Sequence, residues 1–136
     1  MSLSSVSMYF FVDNTTTDKI VFFVSRDGKD WRRHSFVSEN EGDLERSFEE
    51  VLKKEKIGYE DVAGLAVRVG EGRFTATRLA VTFVNTLALV LKVPVVAAEG
   101  EDPENAVELI KKMPVGQYIS ARYSAEPRIG GVNNDK

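Results

Sequence analysis

The chain of 136 residues has no cysteine, one histidine, and 18 basic against 21 acidic side chains, for a net charge of −3. This excludes thiol catalysis, disulfide staples, thiolate zinc sites and any metal site that needs two imidazoles. A pI near 5.3 and no basic run argue against a surface that holds nucleic acid or anionic membrane by itself, while 43% hydrophobic and 29% charged residues suit one globular domain with a real core.

Met1 to Ser7 lacks a positively charged start, so residues 1–7 read as a leader without secretory character, and the cytoplasm is the expected compartment. Met8 to Val12 is a short apolar run ending in Asp13 and the polar cluster Asn14-Thr15-Thr16-Thr17, a buried strand followed by a turn. Ile20 to Val24 is β-branched and aromatic, and Arg26-Asp27-Gly28-Lys29 carries turn chemistry ahead of Trp31 to Val37. Three antiparallel strands therefore open the fold. From Asp43 the period changes. Leu44, Phe48, Val51 and Leu52 fall at helical spacing, with acidic residues early and Lys53, Lys54 and Lys56 late, as the helix dipole favours; Gly58 is the expected stop.

Val62 to Val69 is the next strand, and Gly70-Glu71-Gly72 turns the chain into Arg73 to Leu91. Val81, Thr82, Phe83 and Val84 would suit a strand, but an uninterrupted element of this length far exceeds the usual strand of about five or six residues, which predicts a helix. Lys92 and Pro94 interrupt the apolar stretch from Leu79 to Ala98, and Thr82, Asn85 and Thr86 dilute it, so no membrane span is expected. Pro94 to Ala97 reads as a short buried strand, Pro103 to Lys112 as a helix with Asp102 at the N-cap, and Gln117 to Tyr123 as a candidate last strand. Strands first, then helix-strand-helix-strand, predict an α/β fold: a mixed five-stranded sheet with helices on its faces, in the order of ribonuclease-H-like and actin-like ATPase half-domains. Residues 8–129 form one domain on this reading, and residues 130–136 a polar tail.

Asp13 ends the first strand, where a metal-binding carboxylate would sit in such folds. Two-metal hydrolysis needs several converging carboxylates, yet the fourth strand ends in Arg68-Val69, and the turn offers Asn14 and threonines instead of the glycine that closes on an anion. A turn-capping role for Asp13 is favoured. Gly70 to Thr75 joins a strand to a helix N-terminus with Arg68, Arg73 and Arg78 close by, but it lacks the P-loop spacing and lysine. A tight packing turn is the preferred reading. His34 and Ser35 are strand neighbours pointing to opposite faces, which removes a serine-hydrolase pair and leaves His34 as an ordinary surface histidine; Glu45, Glu49 and Glu50 read as a solvated helix face. The second helix gives the strongest clue. Ala76, Leu79, Ala80, Phe83, Leu87 and Leu91 form one apolar face, Val81, Thr82, Asn85 and Leu89 a second, and no charge interrupts Leu79 to Leu91. A helix apolar around most of its circumference is covered around most of it, by the first helix or by another polypeptide.

Ala66 to Ala97, AVRVGEGRFTATRLAVTFVNTLALVLKVPVVA, resembles the signature of the TsaB (YeaZ) family: an apolar strand, a glycine-rich G-x-G-S-F-T-G-x-R loop, a helix rich in small residues and a following x-P-V/L-V strand. Asp13 with Thr15-Thr16-Thr17 resembles that family's opening motif. Similarity covers about Met8 to Ala98, with Gly70, Gly72, Phe74, Thr75 and Arg78 matching the loop while Glu71, Arg73, Ala76 and Thr77 replace its usual residues. The family's second domain has only a faint counterpart around Tyr118 to Ile129, so the resemblance is to a shortened or divergent member. It implies an actin-like N-terminal half and a noncatalytic partner in making threonylcarbamoyladenosine on tRNA. That partner pairs with the related TsaD transferase, or with itself, through helices of this half. A chain with one histidine cannot supply TsaD's paired histidine ligands. The expectation is a scaffold without cofactor, metal or catalytic residue, whose partner interface is Val81, Thr82, Asn85 and Leu89. The alternative is a small nucleotide- or phosphate-binding, ATPase-like phosphohydrolase domain using Asp13, Thr15 and the Gly70 to Arg73 loop.

Overall fold

A computed structural model of the chain describes residues 7–15, 18–40, 42–70 and 74–119. Three strands, β1 (Met8–Asp13), β2 (Lys19–Ser25) and β3 (Arg32–Val37), come first, followed by helix α1 (Asp43–Glu55), strand β4 (Val62–Arg68), helix α2 (Phe74–Leu91), strand β5 (Val95–Ala98) and helix α3 (Pro103–Lys112). The sheet order is β3-β2-β1-β4-β5. β1 pairs antiparallel with β2 and parallel with β4, and β4 pairs parallel with β5, giving the expected mixed sheet. β1 and β4, covered on both faces, are nearly continuous apolar runs. Edge strand β3 carries Arg32 and Arg33 instead, charges that discourage pairing with a stray strand.

The strict alternation of strand side chains divides the core into two layers. Met8, Phe10, Val12, Phe22, Leu65 and Val67 point to the α1 and α2 side, where Phe48 fills the centre with its ring centroid 4.8 Å from Phe10 and 5.5 Å from Phe83. Phe11, Ala66, Val96 and Ala98 point the other way, onto Ala106 and Ile110 of α3. α3 comes close because Gly64 lies beneath it: a Cβ there would stand 2.4 Å from Cγ2 of Ile110. Asp102 caps α3 by accepting from the backbone N–H of Asn105 at 2.9 Å, with Pro103 next, as the sequence suggested.

Three expectations are corrected. α1 ends at Lys56, which adopts a left-handed conformation (φ 59°), two residues before Gly58; its own N–H and that of Ile57 close the last turn onto Lys53 and Leu52 carbonyls. Gln117 to Ile119 is irregular rather than a strand, and the rest of that segment lies outside the described residues. On α2 the deepest stripe is Ala76, Thr77, Ala80, Val81, Val84 and Ala88, while Leu79 is 38% exposed and Phe83, Leu87 and Leu91 pack at the rim of the core. Small side chains let the helix settle on the sheet, so the alanine-valine stripe displaces the leucine stripe from the sheet side. No helix among the described residues is long and apolar enough to cross a membrane.

Candidate functional site

The turn after β1 was the first candidate for chemistry. Oδ1 of Asp13 accepts from the Thr15 backbone N–H at 3.0 Å and the Thr15 hydroxyl at 2.6 Å, and Oδ2 accepts from Nε of Arg68 at 3.0 Å. Arg68 ends the parallel neighbour β4 and lies over the Phe11 ring, 5.0 Å from its centroid. A guanidinium thus occupies the place where a two-cation site would need its second carboxylate. Asp13 caps its turn and pairs with its neighbour strand. Asn14 is buried beside it and donates from Nδ2 to the carbonyl of Ala76 at 3.0 Å, which fastens the turn to the start of α2. Among the described residues, no three His, Cys, Asp or Glu side chains gather as a metal cluster.

Of the loop matched to the family signature, Gly70 closes β4 with φ 89° and Phe74 and Thr75 open α2, while Arg78 is half-buried on its second turn. Gly72 and Arg73 lie outside the described residues, so Arg73 is not placed relative to Asp13 or Thr15. Thr77, two residues into the helix beyond Thr75, is buried and its hydroxyl has no hydrogen-bond partner.

His34 has a partner that its sequence neighbourhood does not announce. Glu55, at the end of α1, accepts from Nε of Arg32 through both oxygens at 2.9 Å and stands 2.7 Å from Nε2 of His34. The Glu55 side chain is only 5% exposed and that of His34 15%, so His34 is a tethered residue rather than a free surface one. The Arg32 guanidinium, followed by the His34 contact, holds the Glu55 carboxyl below its ordinary range against the opposing effect of burial. The cluster lacks a nucleophile, because Ser35 points to the opposite face of the sheet. It binds the edge strand to the helix above it.

The remaining candidate is the outward face of α2. Thr82, Thr86, Leu89 (60% exposed) and Val90 (67% exposed) line it, with Leu79 at its N-terminal end. Thr86 satisfies its hydroxyl internally by donating to the carbonyl of Thr82 at 2.9 Å. The four residues expected to meet a partner divide. Thr82 and Leu89 point outward, Val81 is fully buried against the sheet, and Asn85 is half-buried and hydrogen-bonded to the backbone of Ile119. At 100° per residue Val81 cannot share a direction with Thr82 once the alanine stripe faces the sheet. Leu79 and Val90 take its place in the patch; the uncharged run from Leu79 to Leu91 was the signal that could have found them.

No family model and no curated protein matches the chain. Solved structures do. YeaZ from Pseudomonas aeruginosa superposes with a TM-score of 0.60 at 25% identity over 68% of this chain and 43% of that one. A structure described as an uncharacterized protein with similarity to peptidase YEAZ from Pseudomonas aeruginosa gives the same TM-score of 0.60 and the same coverage at 23% identity. A Bacteroides thetaiotaomicron protein of unknown function with an actin-like ATPase fold aligns over 77% of the chain at a TM-score of 0.48 and 15% identity. The chain spans less than half the length of the YeaZ structures, 43% of each. Over the aligned part its architecture is YeaZ/TsaB-like, in agreement with the sequence signature.

Proposed function

We propose that this YeaZ/TsaB-like chain is a noncatalytic scaffold that associates, through the outward face of α2, with a TsaD-like protein or a second copy of itself and serves threonylcarbamoyladenosine formation on tRNA. The observation that supports it most is the patch itself: Leu89 and Val90 are 60% and 67% exposed beside Thr82 and Thr86, on a helix with no charge from Leu79 to Leu91. Exposed apolar faces of this kind are favourable only once another surface covers them, and a helix from a partner fits such a face at a shallow crossing angle. The occupied Asp13 carboxylate supports the noncatalytic part of the reading, since both its oxygens already have partners.

The test is co-purification with the host's TsaD-like protein, followed by measurement of the modified adenosine in tRNA from cells that lack the chain. Retention of that protein and loss of the modified nucleoside are expected. Unchanged nucleoside levels would place the chain outside this pathway.

A further inference from the structure

The geometry points to a latch. The chain's own segment Val115–Ile119, held by Asn85, covers one flank of the α2 association face and must leave before a second copy of the chain can lie across it. This rests on the association role proposed for α2 and adds the element that controls access to it.

The segment changes sides of the sheet. Met113, just past α3, packs against the layer that holds Phe11 and Ala106, whereas Ile119 packs against the opposite layer that holds Val81 and Ala88. Gly116, at φ 99°, supplies a turn that a side chain would strain. At the far end Asn85 brackets Ile119: Oδ1 accepts the Ile119 N–H at 3.0 Å, and Nδ2 donates to the Ile119 carbonyl at 3.3 Å. A side-chain amide matched to both backbone groups of one residue recognises an extended chain as a neighbouring strand would.

The position of the bracket makes it a competitor. Phe83 directs its ring at Phe48 of α1, and Asn85, two residues on, falls on nearly the opposite flank of the helix. Tyr118 of the segment lines an open cavity of about 190 Å³ together with Asn85, Thr86 and Leu89, which places it at the edge of the outward face. A partner helix lying along Thr82, Thr86 and Leu89 would meet Tyr118. Apart from the half-buried Ile119, the hold is also light. Val115 and Tyr118 are 54% and 43% exposed, and both bracketing hydrogen bonds end on a single residue, Asn85. Segments with few buried contacts open at a small fraction of the global unfolding free energy. A light, specific cover over an apolar face reduces its affinity for a partner by the fraction of time the cover is closed.

The absence of native cysteine permits a direct test on the full chain. Thr86→Cys and Tyr118→Cys together place one thiol on each side of the cavity, and self-association is measured by sedimentation before and after mild oxidation at low protein concentration. Intramolecular crosslinking is expected, with self-association at least tenfold weaker in the oxidised chain than after reduction. Ile119→Pro, which deletes the N–H that Asn85 accepts and removes the packing of Ile119 while keeping every residue of α2, is expected to strengthen self-association about tenfold. Failure of the thiols to crosslink in the folded chain would overturn the latch, as would a crosslinked chain that associates as tightly as the reduced one. Efficient crosslinking with association in neither redox form would defeat the association role of α2, and competition for it along with that role.

Discussion

Replacing Glu55 by Gln tests whether the α1–β3 tether is a charged anchor. The wild-type carboxylate is nearly buried, accepts from Nε of Arg32 through both oxygens and from Nη2 of Arg32 through Oε1, and faces His34, so four polar contacts converge on one group. Hydrogen bonds to a charged partner contribute about 1.5–3 kcal/mol each in well-shielded sites. The Arg32 side chain is 53% exposed and regains water when released, which places the expected loss near ~1–2 kcal/mol for the Arg32 part. Glu55→Gln keeps the volume and one acceptor, so it should cost about that amount, while Glu55→Ala adds a small cavity and should cost about 2–3 kcal/mol. Equilibrium urea unfolding reads both values. The pH dependence carries the sign. Because the Arg32 guanidinium and then His34 hold the Glu55 carboxyl below its ordinary range in the folded state, the carboxylate stabilises the fold above that ordinary range and loses its advantage as pH falls through the lowered folded value. The gap between wild type and Glu55→Gln should therefore be full at neutral pH and shrink in acid. A gap that is constant down to strongly acidic pH, or absent at neutrality, would refute the charged-anchor account.

Two further outcomes follow from buried polar groups. Thr77→Val replaces a buried hydroxyl that has no partner with a methyl of similar size, and should raise stability by about 1 kcal/mol in the same urea assay; a loss of stability would mean the hydroxyl is in use. Asp13→Ala removes the acceptor of Thr15 and Arg68 and should destabilise the fold by about 1–3 kcal/mol, while calorimetry of the wild-type chain with ATP, ADP and Mg²⁺ should show no saturable heat. Saturable binding that disappears in Asp13→Ala would restore the nucleotide-binding alternative.

What could be read from the sequence was local. The helical spacing of Leu44, Phe48, Val51 and Leu52, the Asp102-Pro103 cap and the strand-like run of β2 each depend on residues within a few positions, and the structure places the start of α1 and both ends of β2 and α3 at or within one residue of the expected bounds. What was missed depends on separation. Glu55 lies 21 residues from His34, and Arg68 lies 55 from Asp13; neither pairing has a sequence signature, although Arg68 was visible as the residue in a carboxylate's place. Lys56 gave no warning of its left-handed turn, because such a conformation is usually marked by glycine. The rotation of α2 differs from the expected one for a related reason. With apolar residues on most sides, hydrophobicity alone does not orient the helix, and the small side chains of Ala76, Ala80 and Ala88 decide which face meets the sheet.

The central claim is that the exposed face of α2 exists to be covered by another polypeptide. Leu89→Glu tests it most directly, since Leu89 is 60% exposed and its replacement leaves the core intact. Sedimentation of the variant, alone and mixed with the host's TsaD-like protein, should show a folded chain whose association is weaker by about 30-fold or more, the roughly 2 kcal/mol typical of a central interface residue. Association as tight as that of the wild type would contradict the account, as would a wild-type chain that stays monomeric in both experiments.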